Sequence, residues 1–123
     1  MPFRIDEIHC DRDYTILIRS SQAQAICMTM NAHLLEIETE EENNFIKGRH
    51  KNAHNYWTGG NDIEVESVWR WITSKNPITF FDWSVGQPSN LRHRQDCLII
   101  HHSNHQWHDF DCRAENFFIC EKE

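Results

Sequence analysis

Five cysteines in 123 residues, at positions 10, 27, 97, 112 and 120, constrain this chain more than any other feature. No two stand as Cys-x-x-Cys, the spacing that zinc and thiol-exchange sites use, so the set reads as a disulfide framework and points to a secreted protein. One cysteine is then left over, and the 3 connectivities open to any four of them are not separated by spacing alone.

The last part of the chain shows what such a framework would hold. From Gln87 to Cys112 it runs Gln87-Pro88-Ser89-Asn90, Gln95-Asp96-Cys97, Trp107-His108-Asp109 and Cys112. Two cysteines there bracket side chains rich in carbonyl, hydroxyl, carboxylate and imidazole atoms. It reads as a stapled polar loop on the surface and is the first place to look for a ligand. The length fits a single domain, 1–123, with one core. Twelve basic residues against nineteen acidic ones give a formal charge of −7, which disfavours nucleic acid and anionic membranes as partners. No run approaches the roughly 20 apolar residues of a membrane helix, no signal-like leader is seen, and no Asn-x-Ser/Thr acceptor occurs.

Residues 1–10 are too short and mixed to form an element alone. Tyr14–Ile18 suits a strand, and a helix follows from Ser20 or Ser21 with Ala23, Ile26, Cys27 and Met30 on one face. Leu34–Ile37 is a second short strand. Thr39 and Glu42 make a capping box for a second helix that buries Phe45 and Ile46 and ends near Gly48, with Glu40–Glu42 as its solvated, dipole-complementing start. Tyr56-Trp57-Thr58 begins a strand that ends in a Gly59-Gly60-Asn61-Asp62 turn. Val68–Ile72 is the richest strand candidate, and Leu98–Ile100 and Phe117–Cys120 are short buried ones. Helices early, strands and long loops late, make an α+β domain.

Taken together, Cys27, Trp57-Thr58-Gly59, Trp69-Arg70-Trp71, Gln87-Pro88-Ser89, Cys97, Trp107-His108-Asp109, Cys112 and Phe118-Ile119-Cys120-Glu121 resemble the C-type lectin domain. Within that superfamily the chain looks most like the small secreted lectins of bivalve molluscs, from about Tyr14 to its end. The resemblance implies two helices with small antiparallel sheets and a long disulfide-pinned loop region, and the bridges Cys27–Cys120 and Cys97–Cys112. It also puts Cys10 where longer members carry one half of an extra pair, which leaves it for an interchain disulfide and a dimer. All five tryptophans are expected as core.

By the same resemblance, the principal calcium and sugar ligands fall on Gln87, Ser89, Gln95, His108 and Asp109, of which only Asp109 is a carboxylate. Gln95 stands for a Glu and His108 for an Asn. Calcium affinity follows carboxylate count and imidazole suits softer metals, so the principal ion is expected weak or absent. Arg92, His93 and Arg94 add positive charge nearby. The auxiliary calcium site maps to Asp62, Glu66, Asn90 and Asp96, with a share from Gln95, and calcium is expected there only. The competing fate of these acids is pairing with Arg92 or Arg94. Gln87 resembles the galactose-type motif. Without the principal ion, recognition falls to direct hydrogen bonds from Gln87, Ser89, Gln95, His108 and Asp109, with His93 or a ring against an apolar sugar face. Galactose or N-acetylhexosamine glycans are the expected ligands. The alternative is a lectin-like domain that contacts a protein or another surface without sugar.

His101, His102, His105 and His108 form a cluster that the resemblance does not explain. His101 and His102 are expected on opposite sides of a strand, as exposed imidazoles, and no nucleophile or base accompanies them, so an enzyme is not expected.

Overall fold

The structure, a computed structural model, describes the backbone of residues 5–9 and residues 17–49, 54–90 and 94–122 in full. In chain order the elements are β1 Ile5–His9, α1 Ser20–Thr29, β2 Ala32–Leu34, α2 Glu40–Arg49, β3 Tyr56–Asn61, β4 Arg70–Trp71, β5 Cys97–Ile100, β6 Trp107–Phe110 and β7 Phe117–Lys122. The strands hydrogen-bond in the order β1-β7-β3-β5-β6, with β2 also on β7 and β4 also on β3. β3 and β7 pair parallel, and every other strand pair is antiparallel. This is the α+β architecture that the order of elements implied.

α1 buries Ala23 and Cys27 completely, four residues apart on one stripe, with Ile26 and Met30 partly covered beside them. Its cap is not a serine. Arg19 is the N-cap, and its backbone N–H donates to Gln22 Oε1 at 3.2 Å, while the buried Ser20 opens the helix and gives its own N–H to the Cys112 carbonyl. In α2 the Thr39 hydroxyl accepts the Glu42 N–H at 3.1 Å, as the capping box requires, and the Glu42 carboxylate accepts the Glu38 N–H at 2.9 Å. The buried stripe is Glu42, Asn43 and Ile46. Phe45, expected inside, lies at the edge of that stripe and is 36% exposed, and Glu42, expected on the solvated face, is only 8% exposed.

The strands correct further expectations. Ile5–His9 does form a strand, because the edge of β7 supplies the backbone partners that a short mixed segment lacks alone. Gly59 and Gly60 lie within β3 rather than in a turn. A Cβ on Gly60 would stand 2.8 Å from Leu98 Cδ1, so the glycine is there to let β5 approach. Val68–Ile72 yields only the two-residue β4, since the preceding loop leaves Val68 exposed. In Leu34–Ile37 the regular strand ends at Leu34, although the Leu35 N–H still donates to the Ile119 carbonyl at 3.0 Å. Tyr14, Thr15 and Ile16 lie outside the described residues, and Ile18 makes a single bridge to Asn116. β6 was not anticipated: its alternation of Trp, His, Asp and Phe has no apolar run to announce it.

Both implied disulfides are present, Cys27–Cys120 across 93 residues and Cys97–Cys112 across 15. The first ties α1 to β7, and each contributes about 2–4 kcal/mol in the chain-entropy picture. Cys10 lies outside the described residues. Trp57, Trp71 and Trp107 are fully buried, Trp69 nearly so and Trp83 partly. The Trp57 indole N–H donates to the Ile18 carbonyl at 2.7 Å.

Behind α2 the core turns acidic. Glu36, Glu42 and Glu121 come together, with Glu121 Oε1 accepting the Glu36 N–H at 3.1 Å. Burial first, and then the neighbouring carboxylates of Glu42 and Glu36, push the Glu121 carboxyl up to about 7, against the pull of the Glu36 N–H and His33. A carboxyl raised in the fold above its unfolded value stabilises below that value and loses the effect as pH rises towards about 7. Glu121→Gln is therefore expected to raise the Tm at pH 7.5 in calcium-free buffer and to leave it unchanged at pH 4.5. An equal gain at both pH values, read by thermal melts, would remove this account.

Candidate functional site

The polar loop is built on β6, whose alternation sends Trp107 and Asp109 to the buried face and His108 and Phe110 to the other. Trp107 is the pivot beneath it. Its ring packs edge-on against Trp71, Phe80, Phe81 and Trp83, its Nε1–H donates to Asn43 Oδ1 at 3.3 Å, and its backbone N–H donates to the Asp82 carbonyl at 2.8 Å. Asp82 is held in turn by Asn43 Nδ2 at 2.7 Å, Lys47 Nζ at 2.8 Å and Gln106 Nε2 at 2.9 Å. Those donors outweigh burial and hold its carboxyl below the usual range. This network joins α2 to the start of β6, and sequence reasoning missed it. Its members are as much as 64 residues apart, and none has a local signature.

Two residues on, Asp109 is 1% exposed and gathers the loop around its carboxylate. Ser89 Oγ donates to Oδ1 at 3.0 Å, and the Asn90 backbone N–H donates to Oδ2. The Gln95 amide, oriented by its hydrogen-bonding surroundings, turns its nitrogen inward and donates to Asp109 Oδ1 and to the Asp109 carbonyl, both at 3.0 Å. The Gln87 side-chain oxygen accepts the Asp109 N–H at 3.2 Å. The structure thus brings Gln87, Ser89, Gln95 and Asp109 into one cluster.

His108 stands beside this cluster on the opposite strand face. Its ring lies flat on His101, centroids 3.9 Å apart and planes within 10°, and His102 covers His101 at 4.3 Å. The expectation that His101 and His102 diverge is overturned, because the strand ends at Ile100 and the following turn folds His102 back. His101 Nδ1 accepts the Ser103 N–H at 3.2 Å, which needs an unprotonated nitrogen. Burial, then His108 and His102, push its pKa down to about 4. Burial and His102 also lower that of His108, against the pull of Asp109. His93 and Arg92 lie outside the described residues.

A second cluster lies next to the first. Ligand oxygens of Asp62, Glu66 and Asp96 fall within 4.8 Å of one another, the one such group among the described residues. The Asp62 N–H donates to the Asp96 carbonyl at 3.0 Å and the Ser67 N–H to Asp62 Oδ2 at 2.8 Å. Asp62 Oδ1, Asp96 Oδ1 and Asn90 Oδ1 are all buried without a hydrogen-bond partner. Such groups are rare, and here they are all oxygens, the donor set that calcium takes. Burial and then the carboxylates of Asp96 and Glu66 push the Asp62 carboxyl up to about 7, against the Ser67 N–H. Among the described residues, Arg94 makes no salt bridge to any of these acids, and Arg92 lies outside the described residues. The residues present fit a hard divalent cation.

The model of the lectin C-type domain matches residues 18–122. The chain belongs to the C-type lectin domain family. Among its relatives, perlucin of Haliotis laevigata is 36% identical, over 86% of this chain and 72% of perlucin. Hepatic lectin of Gallus gallus is 32% identical over 82% of this chain, which spans about half of that protein, 48%. The carbohydrate-recognition domain of the mouse scavenger receptor C-type lectin superposes with a TM-score of 0.80 at 32% identity, covering 87% of this chain and 85% of the other. The family is not enzymatic. Among the described residues of this lectin domain, no helix is long and apolar enough to cross a membrane.

Proposed function

We propose that the domain is a secreted carbohydrate-binding lectin that holds a neutral sugar, of galactose or N-acetylhexosamine type, by direct hydrogen bonds from the Gln87–Asp109 region, with no calcium bridging sugar and protein. The observation that carries this reading is the commitment of Asp109. It is the sole carboxylate at the five principal positions, and Ser89, Asn90 and Gln95 already satisfy it. A cation arriving there would have to displace three donors with little charge in return.

What remains outward is neutral and two-sided. The Gln87 amide nitrogen donates and the Gln95 amide oxygen accepts, while His108, on the other face of β6 and stacked on His101, adds a neutral imidazole only beside them. His93 belongs to the same proposed set. Those groups suit vicinal hydroxyls or an acetamido group better than an acidic sugar. Calcium has a structural place instead at Asp62, Glu66, Asn90 and Asp96, where it would satisfy the orphaned oxygens. A glycan array run with and without chelator tests the reading. Binding of galactose or N-acetylhexosamine glycans should survive chelation; binding abolished by it would restore an ion-bridged mechanism, and no binding at all would favour contact with a protein or another surface. Equal binding of galactose and mannose lacking the acetamido group would remove the N-acetyl preference.

Single shallow sites gain from multivalency. Cys10 is the one cysteine that the two bridges do not use, which supports a disulfide-linked dimer, fitted to capturing glycans in innate defence. Its mark would be an apparent mass on a denaturing gel that halves on reduction, and an unchanged mass would exclude it.

A further inference from the structure

A crevice lies at the end of the sheet where β3 and β7 begin and β5 ends, with Tyr56 paired to both Phe117 and Ile100. Its volume is about 340 Å³, and among the described residues Leu17, His54, Asn55, His102, Asn116 and Phe117 line it. None of the six belongs to the Asp109 cluster or to the acidic group at the other end of β3, and none is acidic.

The walls are fixed by bonds that leave most of their polar tips unused. The Asn116 backbone exchanges hydrogen bonds with that of Ile18, at 3.0 and 3.2 Å. Asn55 Oδ1 accepts the His102 N–H at 2.8 Å, which pins the turn after β5 to the start of β3. The His54 ring stands edge-on against Phe117, centroids 4.4 Å apart. Asn116 is only 7% exposed, yet its Nδ2 is buried with no acceptor. An unmade hydrogen bond of this kind is rare and costly. The terminal torsion of an asparagine is broad, so this amide can turn to an occupant of the crevice at little cost. Because Asn55 spends its oxygen on His102, its NH2 is left to donate, and the imidazoles of His54 and His102 each carry an N–H. Leu17, 46% exposed, and Phe117 add apolar surface.

We propose that this crevice is a second ligand site, one that takes a small carboxylate bearing a short branched apolar group. The carboxylate oxygens accept from Asn116 Nδ2, Asn55 Nδ2 and the two imidazoles, while the apolar group covers Leu17 and Phe117. Charge decides for a carboxylate over a neutral amide: hydrogen bonds to an ionised acceptor are about twice as strong, and no acid among the described lining residues repels it. The site shares no residue with the sugar cluster, so it stands or falls apart from the lectin reading.

The experiment uses the whole 123-residue chain, nitrogen-labelled for magnetic resonance, with isovalerate, isovaleramide and acetate as probes. Isovalerate should shift the side-chain amide of Asn116 and the backbone amides of Leu17, His54 and His102, saturably and with one common affinity. Isovaleramide, which lacks the charge, and acetate, which lacks the branched group, should each bind about tenfold more weakly. Asn116→Asp keeps the size and the backbone bonds to Ile18 but sets a carboxylate against the ligand, and should weaken isovalerate by about tenfold or more. Leu17→Ser, at a half-exposed position, should weaken it by about threefold, which guards against misfolding of the first variant. Shifts that grow without saturating, equal affinity for isovaleramide, or wild-type affinity in Asn116→Asp would overturn the proposal. So would a magnetisation-transfer signal from water to the Asn116 amide that persists at saturating isovalerate, since an ordered water would then be the missing partner.

Discussion

Replacing Asp109 by alanine is expected to remove sugar binding, a fall of about 100-fold or more in affinity. The carboxylate accepts hydrogen bonds from Ser89, Asn90 and Gln95 in a site 1% exposed to solvent. A hydrogen bond to a charged group is worth roughly 1.5–3 kcal/mol, and leaving buried donors unpaired adds to the loss. These bonds hold the loop in the form that receives the sugar, and each loss of about 1.4 kcal/mol in loop order lowers affinity tenfold, so loss of two of the three suffices. Asp109→Asn is the sharper probe. It keeps the shape but replaces an acceptor by an amide NH2 that faces donors, so it should bind sugar as poorly as the alanine variant while retaining a cooperative melt. Titration calorimetry with a neutral monosaccharide decides the matter. Wild-type affinity in the asparagine variant would place recognition elsewhere on the surface.

The largest loss of stability is expected from Trp107→Ala, about 3–5 kcal/mol. The ring is fully buried among four aromatic neighbours, and its removal strips Asn43 Oδ1 of a donor at the end of the Asp82 network. Trp107→Phe restores much of the volume but not the N–H, and so should recover more than half of that loss. Denaturant unfolding of the two variants against wild type measures it. A cost below about 1 kcal/mol for the alanine variant would mean that neighbouring rings collapse into the space. Because β6 carries Asp109, sugar affinity should fall together with stability in both variants.

The elements that sequence alone exposed are those with local causes. Thr39 and Glu42 announced α2 through capping chemistry, and Ala23 with Cys27 announced the inner stripe of α1. Resemblance, which maps positions one by one, also named Gln87, Ser89, Gln95 and Asp109, which the fold gathers, together with His108, which it puts on the other face of β6. What escaped was non-local. β1 depends on the edge of β7, Gly60 is dictated by Leu98 nearly forty residues away, and Glu121 meets Glu36 across 85 residues. The orphaned oxygens of Asp62, Asn90 and Asp96 belong to this kind too. Residue types alone indicated oxygen ligands, but only folding shows that three of those oxygens are buried without partners.

β6 places Asp109 and the flat stack of His108 on His101 on opposite faces of one four-residue strand. Strand alternation has a period of two, which makes the turn between β5 and β6 a parity switch for anyone redesigning it. Adding or removing residues there with the Trp107 register intact alters only the turn. A change absorbed as a one-residue slip of β6 would bring an imidazole to the loop cluster and turn the carboxylate towards the histidines. Length variation between His101 and Gln106 is thus safe or ruinous according to how β6 re-pairs with β5, whatever residues are inserted.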